Sequence, residues 1–203
     1  MNSKLIKAVT ICLILAAMSG CAKKVLVQPV IDPSEYTRMA VLSFETRGFA
    51  YTTGQQIADE IVIHLLRNAP DLEVIERTRI GDLIEEQDLE YQGYSTPESA
   101  TTMGQLLDVD VILTGSAYLS LDVIHPADWH RDRVAMGVAT VRLIDTRTGR
   151  VIWVGREDSH YSVTEWSEGD PDRWMTDHQM TQEVVSDLAE AIARNFYAHY
   201  ERK

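Results

Sequence analysis

The hydrophobic positions change rhythm along this chain, and each change marks an expected element. Ala8 to Met18 (AVTICLILAAM) is one unbroken apolar run. Ala22 to Arg38 holds Pro29 and Pro33 and no helical rhythm. It reads as an extended tether with a reach of at most ~60 Å. Met39-Ala-Val-Leu-Ser-Phe44 is a short apolar run of buried-strand type. Ile57, Ala58, Ile61, Val62, Leu65 and Leu66 then share one helical face, Thr53 and Gln56 have capping-box spacing, and Pro70 closes the segment. Leu72 to Ile75 predicts a second strand. Arg77 to Leu89 predicts a second helix with Ile80, Leu83 and Ile84 inward. Thr96-Pro97-Glu98 starts a third, with proline at the first helical position and Ala100, Met103, Leu106 and Leu107 on the apolar side.

Val109 to Leu113 (VDVIL) is apolar at most positions, as a central strand requires. Strands around Arg133–Ile144 and Val151–Glu157 flank Asp145-Thr-Arg-Thr-Gly149, where Gly149 is free to take positive φ. An antiparallel hairpin is the expectation there. Thr176 and Gln179 form a second capping box, followed at helical spacing by Met180, Val184, Val185, Leu188, Ile192, Phe196 and Tyr200. A helix from Asp177 to Tyr200 would be ~36 Å long. The predicted order is β-α-β-α-α-β-β-β-α. Its early strands are separated by helices, so the fold class is a mixed α/β sheet with helices packed on it.

The first apolar run is too short to cross a bilayer, which needs ~20 residues. Lys4 and Lys7 precede it and Ser19 and Gly20 follow it, the layout of a cleavable export signal over residues 1–20. Met18-Ser19-Gly20-Cys21 resembles the bacterial lipobox, although Met18 stands where leucine is usual. The alternative is a signal cut nearby that leaves Cys21 as a free thiol. Cys12 is lost with the signal, so Cys21 would then be a lone reactive thiol in an oxidising compartment. Lipidation removes that difficulty, and several acyl chains on one residue anchor stably where one is marginal. Ala22 rather than an aspartate follows the cysteine. By resemblance to the enteric sorting rule, that points to the outer membrane, with the domain facing the periplasm. The organisation is therefore a signal over 1–20, a lipidated cysteine and tether over 21–38, and one domain over 39–203.

Loss of residues 1–20 moves the formal net charge from −12 to −14. A domain this acidic, with no Lys/Arg stripe, is a poor nucleic-acid binder, because phosphate neutralisation supplies most of that affinity. Anionic head groups repel it as well, so membrane contact is expected through the lipid. No later apolar run is long enough for a transmembrane helix.

Several segments resemble the CsgG family, the curli-assembly-type lipoproteins. They are Arg38-Met-Ala-Val-Leu-Ser-Phe44, Val74-Ile-Glu-Arg77, Leu83-Ile-Glu-Glu-Gln87 with Gly93, Gly104 to Ser116 and Val141 to Gly149. The likeness covers most of residues 38–157 in order. It implies a fold similar to the TolB N-terminal domain and to a lipoprotein activator of penicillin-binding proteins. The same residues also have packing accounts. Glu76 suits the positive end of a helix dipole, Gly104 lets a helix approach a neighbour, and Gly115 suits a bend or bulge. Some members of such a family form oligomeric outer-membrane channels from inserted hairpins. Here the two candidate insertions, Tyr118–Ala135 and Arg156–Arg173, are rich in charge and short. Neither offers the alternating lipid face of ~9–11 residues that a spanning strand needs.

No P-loop, dinucleotide, zincin, nucleophile-elbow or C-x-x-C motif occurs. His125, Asp128 and His130 lie close together but match no zinc signature, and a solvated loop is the better reading. Ser167 to Asp172 lacks the loop pattern that fixes calcium ligands. Ser116 has no evident His or Asp partner. No metal or cofactor is expected. Trp129, Trp166 and Trp174 stand in polar stretches, where tryptophan serves either as a partner anchor or as a lid on the sheet edge. Trp153 alternates within a strand and is expected in the core.

The leading expectation is a non-enzymatic module, held in the envelope by its N-terminal lipid, that docks an envelope protein in secretion or cell-wall assembly. An export-channel subunit, hence a homo-oligomer, is the alternative. A wall hydrolase using carboxylates such as Glu165 and Glu168 comes third.

Overall fold

The structure is a computed structural model, and it describes residues 24–48, 54–75, 97–124, 130–166 and 176–202. Contacts divide the described residues into two compact units, one within Pro29–Tyr197 and a small one made of residues 24–28 with 198–202.

The larger unit is built on a six-stranded mixed sheet. The strands are β2 (Arg38–Val41), β3 (Glu45–Gly48), β4 (Glu73–Ile75), β5 (Val111–Ile124), β6 (His130–Asp145) and β7 (Val151–Trp166). Its order is β4-β2-β5-β6-β7, with β3 also on β5. β2 lies parallel to β4 and β5, and β3 continues along the same edge of β5, pairing with Ser116–Leu119. β5–β6 and β6–β7 are antiparallel. Three helices are described: α1 (Gly54–Asn68), α2 (Pro97–Leu107) and α3 (Asp177–Arg194). The mixed α/β class expected from the sequence holds, and α2 begins at Pro97 as expected. The expected helix over Arg77–Leu89, with Glu76 before it, lies outside the described residues.

Alternation along the strands sorts the core into two layers. Met39 and Val41, with Val111, Leu113, Ala117 and Leu119 and with Ala135, Ala139, Val141 and Leu143, face α1 and α3. Ala40, Leu42, Ile75 and Ile112 face Met103 and Leu107 of α2. Strands β2 and β5 are thus buried on both faces where they pair, which is why their sequences read as continuous apolar runs. On β6 the α3-facing residues are small. A Cβ on Gly137 would sit 2.6 Å from Val184 Cγ1 and 2.7 Å from Leu188 Cδ1, so glycine there sets how closely α3 approaches.

α3 opens on the expected capping box, in which Gln179 N–H donates to Thr176 Oγ1 (3.2 Å) and Thr176 N–H donates to Gln179 Oε1 (2.7 Å). It does not run to Tyr200. Asn195 Nδ2 donates to the carbonyls of Ala191 (3.0 Å) and Ile192 (3.2 Å), satisfying acceptors that another helical turn would have used. The helix ends at Arg194 and is therefore ~27 Å long. Phe196 still packs in the core, its ring edge-on to Trp153 at 5.4 Å, and Trp153 is half-buried rather than enclosed.

Other expectations need correction. Leu66, expected inward on α1, is exposed. Gly115 pairs in regular register with Val141 and makes no bulge; the irregularity lies at Leu143/Ile144. Gly115 instead admits the Phe44 ring, and Gly104 admits the Thr146 side chain. The hairpin turn is as expected, with Gly149 at φ +67° and its N–H donating to Asp145 O (2.8 Å).

In the smaller unit, β1 (Lys24–Val27) pairs antiparallel with β8 (His199–Arg202). The start of the expected tether is therefore a strand, and Tyr200 belongs to one as well.

Candidate interaction surface

The largest departure from the sequence reading is the length of three strands. β5, β6 and β7 run for 14, 16 and 16 residues. Beyond the irregularity at Leu143/Ile144, pairing runs on to Ile124–Asp132 on one side and His130–Trp166 on the other. The stretches Tyr118–Ala135 and Arg156–Arg173, read from the sequence as charged insertions too short for a hairpin, are paired ribbon over their described residues, 118–124, 130–135 and 156–166. The reason is a phase effect. Ala117, Leu119 and Leu121 on β5 and Ala135, Gly137 and Ala139 on β6 keep the inward phase, so the polar residues between them need only face out.

The outward phase forms a surface. It carries Ser116, Tyr118 and Ser120 on β5, Met136, Val138, Thr140 and Arg142 on β6, and Val154, Arg156, Asp158 and His160 on β7. Tyr118 is 56 % exposed and Val154 59 %, and Met136 is exposed as well. Aromatic, thioether and aliphatic groups interleaved with both signs of charge are chemistry suited to a protein partner. Towards the tip the two phases become alike. Asp122 and Asp132 lie on the outward phase, Arg133 on the inward one, and Arg133 ion-pairs with Asp177 in the first turn of α3.

One end of the sheet is fixed by buried and half-buried polar groups. Asp145 is buried. Its Oδ1 accepts from the N–H groups of Arg147 (2.9 Å) and Thr148 (3.0 Å), and its Oδ2 from Tyr36 OH (3.2 Å) and Arg147 Nη2 (3.2 Å). Burial works to raise this carboxyl, but the hydrogen bonds from Arg147 and from the Thr148 and Arg147 backbone outweigh it and hold it below 3.8. The Tyr36 hydroxyl is pushed up by burial and by the nearby Glu35 and Asp145 charges. Arg147 also reaches Glu35 (3.3 Å) and lies over the Tyr36 ring at 5.5 Å. Asp110 Oδ2 accepts from the backbone N–H groups of Thr37 (2.9 Å) and Arg38 (3.0 Å). Arg38 in turn bridges Asp108 and Glu73. These groups clamp the segment ahead of β2 onto the hairpin turn, and their hydrogen bonds account for them as structure.

Some of the residues singled out from sequence are described. Ser116 is exposed on β5 opposite Thr140. Trp166 is the last residue of β7, paired with His130, and Glu165 pairs with Arg131. Cys21, His125, Asp128, Trp129, Glu168 and Trp174 lie outside the described residues. Among the described residues no group of His, Cys, Asp or Glu gathers to hold a metal ion, and no helix is long and apolar enough to cross a membrane. Sequence reasoning missed Tyr118 and Met136. The available signal was the period-two alternation of small and large apolar residues on either side of them.

The sequence profile of one family, described as the curli production assembly/transport component CsgG, matches residues 17–119, half of the 203-residue chain. The chain belongs to the CsgG family. The matched span of this CsgG-family chain runs from β1 through α2 and ends at Leu119, part-way along β5. No curated protein sequence matches it. Among solved structures it is similar to the LpoB C-terminal domain from Salmonella enterica, with 15 % identity and a TM-score of 0.45 over 62 % of this chain and 83 % of that one. It is also similar to a minor lipoprotein from Acinetobacter baumannii, with 10 % identity and a TM-score of 0.49 over 83 % and 98 % of the two chains. PelC from Paraburkholderia phytofirmans, crystallised as a dodecamer, is 14 % identical, with a TM-score of 0.41 over 88 % and 99 %.

Proposed function

We propose that this CsgG-family chain is an exported lipoprotein that works as a non-enzymatic docking module in envelope assembly or transport. Residues 1–20 direct export, Cys21 carries the acyl chains, and the domain stands on the periplasmic side of the outer membrane. The observation that carries the docking role is the outward face of β5–β6–β7, where exposed Tyr118, Met136 and Val154 alternate with Arg142, Arg156, Asp158 and His160. Trp129, Trp166 and Trp174 are assigned as further partner contacts.

Two measurements test it. Mass spectrometry of the protein from cells should find the chain beginning at an acylated Cys21; an unmodified start removes the anchor. A photoreactive residue at Tyr118 or Met136 should crosslink in cells to one envelope protein, whereas the same residue at exposed Leu66 on α1 should not. Equal labelling at all three positions would remove the docking role.

A second reading is favoured by strand length. Strands of 14–16 residues exceed the ~9–11 that span a bilayer, as a subunit of an oligomeric export channel would need. Face chemistry opposes it, because Asp122 and Asp132 on one phase and Arg133 on the other leave no continuous apolar band towards the tip. Rings extracted in detergent, with measurable pore conductance, would decide for the channel.

A further inference from the structure

We infer that the chain forms a two-fold dimer in which β7 of one copy pairs antiparallel with β7 of a second, joining two sheets into one. Among the described residues β7 pairs with β6 alone, so a strand of 16 residues presents an open edge. Sheet edges are normally blunted by proline, lysine or brevity. Val151–Trp166 contains neither proline nor lysine. Its backbone is also aimed outward. Leu42 N–H donates to Leu113 O across β2 and β5 (2.9 Å). Alternation from there through β6 turns the even-numbered residues from Val154 to Thr164 towards the open side of β7. The other open edges of the sheet are short: β4 has three residues, β3 has four, and Ser120–Ile124 of β5 lies beyond β3. A head-to-tail row of copies therefore lacks a second long edge.

Two side-chain observations choose a second copy as the occupant. The edge is complementary in charge to itself. With Glu157 on the two-fold axis, Arg156 of each copy stands opposite Asp158 of the other, so one register makes the ion pair twice. Both residues are exposed. Moving the axis by one residue sets Arg156 against Arg156 or Asp158 against Asp158, which costs stability. An axis at Ser159 leaves Arg156 opposite uncharged Ser162. The chosen register has one unfavourable pair, Glu157 against its own copy. The second observation is cover. Inward residues of β5 and β6 such as Leu119 and Ala139 are buried, whereas Trp153, Tyr161 and Val163 on β7 are half-buried. The same register brings Trp153 of each copy opposite Tyr161 of the other, so the apolar layer continues across the join. The dimer goes beyond the docking role and leaves Tyr118 and Met136 on the outward face.

The test uses the chain from residue 21 onward with Cys21→Ser, so its outcome does not depend on the anchor. Analytical ultracentrifugation should show a reversible dimer and nothing larger. Arg156→Asp and Asp158→Arg should each weaken the dimer about tenfold, since each change falls at two contacts. Both positions are exposed, so the parental circular dichroism should remain. An equimolar mixture of the two variants should regain parental affinity, because every arginine then faces an aspartate, and both changes in one chain should do the same. Glu157→Gln should tighten the dimer. Glu157→Cys should give an intermolecular disulfide, because residues at a non-hydrogen-bonded pair lie ~4.5 Å apart between Cα atoms, whereas Ser159→Cys should not. A monomer at every concentration would overturn the inference, as would single variants that dimerise like the parent or a mixture that stays weak. A closed assembly of more than two copies would give the edge to a head-to-tail ring instead.

Discussion

Alternate residues of β5, β6 and β7 end on opposite faces of one sheet, and the two sets are finished differently. On β5 and β6 the inward set is small where α3 lies close (Ala135, Gly137, Ala139) and large elsewhere (Leu113, Leu119, Leu143), and these residues are buried, while on β7 Trp153, Tyr161 and Val163 are half-buried. The outward set is covered by α2 only near Ile112; further along, Tyr118, Met136 and Val154 are exposed. One face is a packing problem solved by shape. The other is a mixed polar and apolar surface that shape does not explain, and its composition is what supports a partner there. The same strands thus separate a packed face from an exposed one by a period of two.

The largest effect should come from the packed face. Leu188→Ala, in the contact between α3 and Gly137, should cost about 2–5 kcal/mol, read as a lower urea midpoint at unchanged slope. A smaller loss would mean that α3 packs less tightly on β6 than described. The clamped end of the sheet belongs to neither face and should rank next. Asp145→Ala leaves the Arg147 and Thr148 N–H groups without their acceptor and should cost about 2–3 kcal/mol.

The same carboxyl gives a pH signature. Its folded value is below 3.8, so its contribution is complete above about pH 4 and is lost as pH falls through the depressed value. Asp145→Asn should therefore be less stable than the parent at neutral pH, with the two unfolding curves converging on acidification. A gap that persists into strong acid would show that the carboxyl's charge is not what holds the turn. Thr176→Ala, which removes one half of the α3 capping box, should cost about 1 kcal/mol. Met136→Ser and Val154→Ser on the outward face should change stability by no more than about 0.5 kcal/mol. If either proved strongly destabilising, the contrast between the faces would fail.

What the sequence made legible follows from how local each cause is. Capping at Thr176, proline at Pro97 and the Gly149 turn are decided within four residues, and each stands where expected. The burial of Val111–Leu113 on both faces was also readable, since an unbroken apolar run in a strand needs cover on either side. The ribbon beyond Gly115 was not. Asp122, Asp132 and Arg133 look like loop solvation until their phase is known, and the partner of Arg133 is Asp177, 44 positions along the chain. Tyr200 misled for the opposite reason. Its spacing from Phe196 imitates a helix, while the Asn195 side chain that stops the helix acts through carbonyls that no hydrophobic pattern reports. Tryptophan in polar stretches drew attention to Trp129, Trp166 and Trp174, of which Trp166 alone falls within a described strand, while the exposure of Tyr118 and Met136 needed the register.

The pairing of Arg202 with Lys24 has a practical corollary for anyone handling this molecule. A purification handle or fluorescent protein joined directly after Arg202 would emerge beside Lys24, at the same end of the ribbon. A fusion there would crowd that end, and an internal labelling position such as exposed Leu66 is the safer choice.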